Sequence, residues 1–343
     1  MKIAVDCRYL GKSGIGRVCQ GILENLDFDK NTYYLIGKSK DLKDYKKAVI
    51  IENDTDPFSL SGLIKFPKEI NKECDALFLP NFIIPFGVKI PVLSIMHDLI
   101  FLDLKKMNKG LKDKIIKRFL LKRCVKKSKS IACVSGFTLN RCAYYYPKYK
   151  DKFFVNYNGL SDNVLNYENT EQAMKTKTNL LYVGNVKPHK GLYTLIKAFK
   201  LLGKDYSLKI VGEKDNFITG VDGESLLCDG VEFTGRLNDD ELLKEFCRAG
   251  LLVQPSEYEG FGLTPLEALY LGTKPIVSDI EVFKEVYDGF DVDFFNVGDE
   301  NALKQAIIDA DILVKDQKEK INQKYSYKNA AKKIEEKLED LVR

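Results

Sequence analysis

Residues 251–279 read LLVQPSEYEGFGLTPLEALYLGTKPIVSD, and the fold follows from how this stretch divides. LLVQPS is a short apolar run stopped by proline and serine, and KPIVSD (274–279) is a second one. Between them a glycine turn, EYEGFG, leads into the helical pattern LTPLEAL. Strand, loop, helix and strand in so short a span form a crossover unit, which predicts that the two strands lie parallel in one sheet. The turn also sets Glu259 and Glu267 eight positions apart around Gly260 and Gly262. One reading of this is structural. Thr264, Pro265 and Glu267 fit a capping box with Thr264 as N-cap and Pro265 at the first helical position, a device worth about 1 kcal/mol with no chemistry attached.

The same alternation runs along the chain. Strand patterns are KIAVD (2–6), YYLIG (33–37), AVIIE (48–52), ALFLP (76–80), VLSIM (92–96), SIACVS (130–135) and FFVNY (153–157) in the first half. The second half has NLLYVG (179–184), SLKIVG (207–212), VEFTG (231–235), LLVQPS, KPIVSD and VDFFNV (292–297). Helical stretches such as LYTLIKAFKLL (192–202) and DDELLKEFCRA (239–249) separate them. The succession predicts an α/β protein of parallel sheets with helices on both faces. Because the series restarts after the polar stretch 161–178, we expect two Rossmann-like domains, 1–165 and 166–325. The last helix, 326–343, has no strand after it and is expected to pack back on the first domain. Two such sheets facing across a cleft would present their ligand loops at the carboxyl ends of the strands.

Composition narrows the class. A chain of 343 residues with 45% hydrophobic and 30% charged residues is a globular composition long enough for two cores. The start, MKIAVDCRYLGKSG, is too briefly apolar for a signal peptide or a membrane span. Eight cysteines without a CxxC pair suit reduced thiols in a cytoplasm and no zinc site. Charge is uneven: residues 1–165 hold 30 Lys+Arg and 17 Asp+Glu, net +13, whereas 166–343 hold 24 and 32, net −8. Halves of opposite sign suggest different partners.

The loops after the strands carry the candidate chemistry. YLGKSGIGRV (9–18) places Gly11, Gly14 and Gly16 ahead of an expected helix, where amides could approach an anion, although GxxGxG is not the dinucleotide spacing. His97 follows VLSIM, and His189 with Lys190 follows NLLYVG; these are the two histidines of the chain. Lys190 precedes Gly191 at a helix start, where a fixed cation and a helix dipole could meet a diphosphate together. Gly260 and Gly262 offer a second amide cradle, and carboxylates beside it suit a ligand rich in hydroxyl groups.

The motif G-x-F-G-L-x-P-L-E preceded by glutamate, with its E-x7-E pair, resembles family 4 of the retaining, nucleotide-sugar-dependent glycosyltransferases. The likeness extends through SGIGR, MHDL (96–99), VSGFT (134–138), NGL (158–160), YVGNVKPHKGL (182–192) and FTGRLNDDEL (233–242). It implies a GT-B fold and a hexose or deoxyhexose passed to a glycan or lipid-linked glycan. It implies that Glu259 contacts donor-sugar hydroxyls and Glu267 the ribose, that Lys190 neutralises the diphosphate, and that His97 lies beside the transferred sugar. The Gly14–Gly16 loop would close over the phosphates, and Gly260, Phe261, Gly262, Leu263 and Thr264 would line the donor site. Where many relatives have an arginine near that lysine, this chain has Asn185 and His189; Lys187 or Arg236 could compensate. The variant is suggestive of mannosyl- and rhamnosyltransferases.

No cofactor, metal or nucleic acid is expected. Two DxD triplets, Asp54–Asp56 and Asp291–Asp293, are read as a polar loop and a strand edge. Residues 104–130 hold twelve Lys+Arg and one Asp, and Leu111, Ile115 and Phe119 recur every four with Ile116 and Leu120 beside them. We expect an amphipathic helix with its apolar stripe inward. Its outer cationic face, Lys105, Lys106, Lys109, Lys112, Lys117, Arg118, Lys122 and Arg123, would meet an anionic membrane surface or the acceptor. Few aromatics interleave these charges, which disfavours nucleic acid. The rival classes are a Rossmann oxidoreductase, disfavoured by the glycine spacing, and a non-catalytic nucleotide-binding protein at a membrane surface. A same-fold epimerase or phosphorylase is a further rival, the latter needing a lysine-bound pyridoxal phosphate for which there is no independent signal.

Overall fold

Every apolar run named above becomes a strand, and the strands sort into two sheets. The structure, a computed structural model, describes residues 1–108, 110–169, 175–212 and 228–343. Two units result: Met1–Gly159 together with Tyr325–Arg343, and Leu160–Lys324.

The first unit holds β1 (Lys2–Asp6), β2 (Thr32–Gly37), β3 (Val49–Glu52), β4 (Ala76–Leu79), β5 (Val92–Met96), β6 (Ser130–Cys133) and β7 (Phe153–Val155). Their order is β3-β2-β1-β4-β5-β6-β7, parallel throughout. Each residue of β4 and β5 is buried, as expected of strands covered on both faces. In the second unit β8 (Asn179–Val183), β9 (Ser207–Val211), β10 (Val231–Gly235), β11 (Leu251–Gln254), β12 (Lys274–Ser278) and β13 (Asp293–Phe295) run β10-β9-β8-β11-β12-β13, again parallel. Successive residues feed opposite layers. Leu180, Tyr182 and Val253 pack with Leu195 and Phe199 on one face, whereas Leu181 and Leu252 pack with Phe246 and Ala268 on the other.

The C-terminal helix Tyr327–Val342 belongs to the first unit. Ser326 caps it, its side chain accepting the Asn329 N–H. Glu335, 6% exposed, accepts the Asp27 N–H at 2.9 Å and the Tyr33 hydroxyl through Oε1. Burial, and then this carboxylate, push the Tyr33 phenol far above its ordinary range. Glu335→Ala removes the acceptor of a part-buried N–H and strands a buried O–H, a group left without an acceptor costing about 1–3 kcal/mol. We expect the opening free energy of β1 and β2, read by amide hydrogen exchange, to fall by about 3 kcal/mol. A fall under about 0.5 kcal/mol would show that water replaces the carboxylate at no cost.

Three expectations are corrected here. The helix after β1 begins at Ser13, so Gly14 and Gly16 lie inside its first turn rather than ahead of it. Gly16 is required for proximity, since a Cβ there would sit 2.5 Å from the Tyr9 carbonyl oxygen. The helix of the glycine turn begins at Leu263 with Gly262 as a left-handed N-cap and no side-chain cap, which removes the Thr264 capping box. In the basic stretch the helix is Leu111–Lys127, and its buried residues are Leu121, Cys124 and Val125. The stripe Leu111, Ile115, Ile116 and Phe119 faces outward, each residue more than half exposed, and Leu120 is half-buried.

Candidate functional site

The strand order brings two of the chemistry-bearing loops together. β8 and β11 are hydrogen-bonded neighbours, yet β8 connects onward to β9 on one side and β11 to β12 on the other. The chain thus leaves them in opposite directions, and this switch point is where open α/β sheets take ligands. Asn185, His189 and Lys190 follow β8; Ser256, Glu259 and Gly260 to Gly262 follow β11.

A glycine joins the two loops. Gly191, at φ +70°, follows a single 3₁₀ turn, Pro188–Lys190, and its Cα lies so close to the Pro255 carbonyl that a Cβ would stand 1.8 Å from that oxygen. The Glu257 N–H adds a bond of 2.8 Å to the His189 carbonyl. Held this way, Lys190 donates to both oxygens of Glu259 at 2.6 and 2.8 Å. The side chains are 22% and 13% exposed, so the pair is partly desolvated and stronger than an open surface bridge. Behind the carboxylate runs a relay the sequence reading missed: Gln254 Nε2 donates to Ser256 Oγ at 3.0 Å, and Ser256 Oγ to Glu259 Oε1 at 2.8 Å. Ser256 is fully buried and Gln254 nearly so. The only signal for them was their place in the run QPSEYE, five and three positions from Glu259.

The lysine assigned to a diphosphate and the carboxylate assigned to sugar hydroxyls are therefore partners of one another. Glu267, assigned to the ribose, is the fifth residue of its helix and buried. Phe261 is buried, while Gly260, Gly262, Leu263 and Thr264 are half-buried around the helix start. Asn185 is half-buried, its carbonyl accepting from Tyr182, and His189 is buried. Arg236 is exposed, in the loop after β10, two strands beyond β8. The DxD triplets find cations within the protein: Lys274, itself 5% exposed, pairs with Asp291 and Asp293, and Lys12 pairs with Asp56.

His97, Gly14 and Gly16 belong to the first unit. His97 follows β5, and its Nε2 lies 2.8 Å from the Pro80 carbonyl. A carbonyl can only accept, so Nε2 carries the hydrogen and the neutral ring keeps its lone pair on Nδ1. Burial holds the imidazole below its ordinary pKa, against the pull of that carbonyl, and this keeps it neutral at pH 7. Next to the end of β1 the buried pair Asp6 and Arg8, another feature missed, makes two bonds of 2.8 Å; Arg8 also reaches Thr55 and the Gly62 carbonyl.

Of the expected cationic face, Lys105, Lys106, Lys112, Arg118 and Lys122 are exposed. Lys117 is not part of it: its ammonium is held by Asp113 at 2.5 Å and by the Phe101 ring. Arg123 is half-buried, donating to the Ile84 and Pro85 carbonyls. Lys109 lies outside the described residues.

Two doubly wound parallel units, the first completed by the C-terminal helix, make the fold GT-B, a two-domain architecture of sugar transferases. Residues 166–339 match the family model for glycosyl transferases group 1, half of the chain, and the chain belongs to that family. Among curated relatives, the O-antigen chain mannosyltransferase RfbU of Salmonella typhimurium is 34% identical over 199 residues, covering 57% of this chain and 54% of that protein. The chain thus spans about half the length of that relative. Among solved structures, HepE of Anabaena in complex with UDP and glucose superposes with a TM-score of 0.73 at 17% identity, covering 99% of both chains. A glycosyltransferase from Rickettsia africae gives 0.72 at 17% identity, covering 100% of this chain and 98% of the other. At such identities these two speak for the fold alone.

Proposed function

We propose that the protein is a retaining glycosyltransferase of the family 4 type. It moves a hexose or deoxyhexose, of mannosyl or rhamnosyl kind, from a nucleotide-diphosphate sugar to a glycan or lipid-linked glycan in the cytoplasm. The observation that carries this reading is the Lys190–Glu259 pair at the β8/β11 switch point, next to the start of the helix Leu263–Tyr270. A cation and amide dipoles suit a diphosphate, and a carboxylate suits sugar hydroxyls; the two occur together in a nucleotide sugar. The mannosyltransferase relative and the neighbour holding UDP and glucose support the same donor class.

In the proposed reaction the bond from the anomeric carbon to the phosphate oxygen breaks, and a bond to the acceptor oxygen forms on the same face. The acceptor's proton passes to the leaving phosphate, so no side-chain nucleophile and no cofactor is needed. Lys190 and the helix amides offset the charge that develops on the diphosphate, so we propose that the reaction requires no metal.

Thermal unfolding in the presence of UDP-, GDP- and dTDP-sugars tests the reading, because a ligand at 100 times its Kd adds about 2.7 kcal/mol. We expect one of them to stabilise the chain, and transfer from it to continue in excess chelator. Stabilisation by NADH in their place would assign the chain to oxidoreductases. Transfer abolished by the chelator would overturn the metal-free step.

A further inference from the structure

We infer that the exposed face of the helix Leu111–Lys127 is a docking surface for an anionic lipid bilayer, which its apolar half enters. The inference is read from the first unit alone and stands whether or not the donor reading does.

Three observations converge. At about 100° per residue, Leu111, Ile115, Phe119 and Ile116 share an arc of about 140° on the side opposite the buried Leu121, Cys124 and Val125. They are 72, 58, 54 and 57% exposed, against 0% for each of the buried three. The same arc carries Lys112 near its start and Lys122 and Lys126 further along, all exposed, so one face joins the apolar stripe to cations. The stretch 104–130 holds twelve cations and a single acid, Asp113, whose charge Lys117 already meets outside that arc. Finally, Arg123 ties this helix to the loop between β4 and β5, its guanidinium 4.6 Å from the Phe86 ring, and Phe86 is itself partly exposed.

This combination selects the occupant. A row of exposed leucine, isoleucine and phenylalanine flanked by lysines has the apolar depth and the charge of an interfacial helix. A second copy of the chain would set like charges against each other, which disfavours pairing through this face. Among the described residues no helix is long and apolar enough to cross a membrane, so the contact is one of lying on the bilayer.

The test uses the full chain with vesicles of phosphatidylcholine alone and of phosphatidylcholine mixed with phosphatidylglycerol. We expect binding to the mixed vesicles, weakened about tenfold or more both by Ile115→Glu with Phe119→Glu and by Lys122→Gln with Lys126→Gln. The substituted side chains are exposed, and hydrogen exchange of β5 and β6 should match the parent chain. The sequence contains no tryptophan, so Phe119→Trp supplies a single indole at the centre of the patch. Its emission should shift to the blue with mixed vesicles. Equal binding to both vesicle types, an unshifted indole, or a dimer that Phe119→Glu splits into monomers would each overturn the inference, the last by assigning the face to self-association.

Discussion

Lys190→Ala lowers kcat/KM for sugar transfer by 100-fold or more, about 3 kcal/mol, while leaving the second unit folded. The size follows from where the charge is needed. As the glycosidic bond breaks, negative charge collects on the diphosphate, and a preorganised cation stabilises that state more than the bound donor. In the structure Glu259 engages the ammonium with both oxygens, so in the proposed reaction Lys190 would share itself between a carboxylate and a phosphate. The relay from Gln254 through Ser256 would hold Glu259 in place were the lysine to turn toward a phosphate. Lys190→Arg should recover part of the rate, because charge rather than shape is the first requirement. A steady-state assay giving less than about threefold loss for Lys190→Ala would remove the proposed role. A loss matched by collapse of β8 and β11 protection in hydrogen exchange would assign the residue to the fold instead.

Gly191→Ala destabilises the second unit by about 3 kcal/mol. A side chain at φ +70° costs about 1 kcal/mol, and forcing a methyl against backbone adds about 1–3 kcal/mol more. The obstacle is the Pro255 carbonyl, part of the loop that carries Glu259, so it can retreat only by moving the candidate site. We therefore expect lowered protection of β8 and β11 together with lost transfer. Gly14→Ala is the matched control: nothing lies within 4 Å of its Cβ position, and in a helix the change should be neutral or slightly stabilising. Equal stability for the two variants would mean that the Pro255 loop yields freely.

The two sheets were legible because parallel strands covered on both faces are apolar runs, as ALFL and VLSIM are. Helix ends were less so. Asn238 and Glu241 form both bonds of a capping box, whereas Thr264 and Glu267, three apart in the same way, form neither. The difference lies in Gly262, whose left-handed backbone starts the helix two residues earlier, a conformation that composition permits without announcing. The stripe on the helix Leu111–Lys127 was read with the right period and the wrong direction, since repetition every four residues is the same whether the face meets a core or a bilayer. The pairing of Lys190 with Glu259 was out of reach for another reason. The residues stand 69 positions apart, and only the hydrogen-bonded adjacency of β8 and β11 brings them together.

The return of residues 325–343 to the unit built from residues 1–159 has a bearing on synthesis. A ribosome releases the seven-stranded sheet early, but the helix bearing Glu335 emerges only after the whole of the other unit. The half translated second can close on its own while the half translated first waits for its final piece. Proteolytic clipping near residue 325 would therefore wound the unit of residues 1–159 rather than the unit of residues 160–324 that directly precedes the cut.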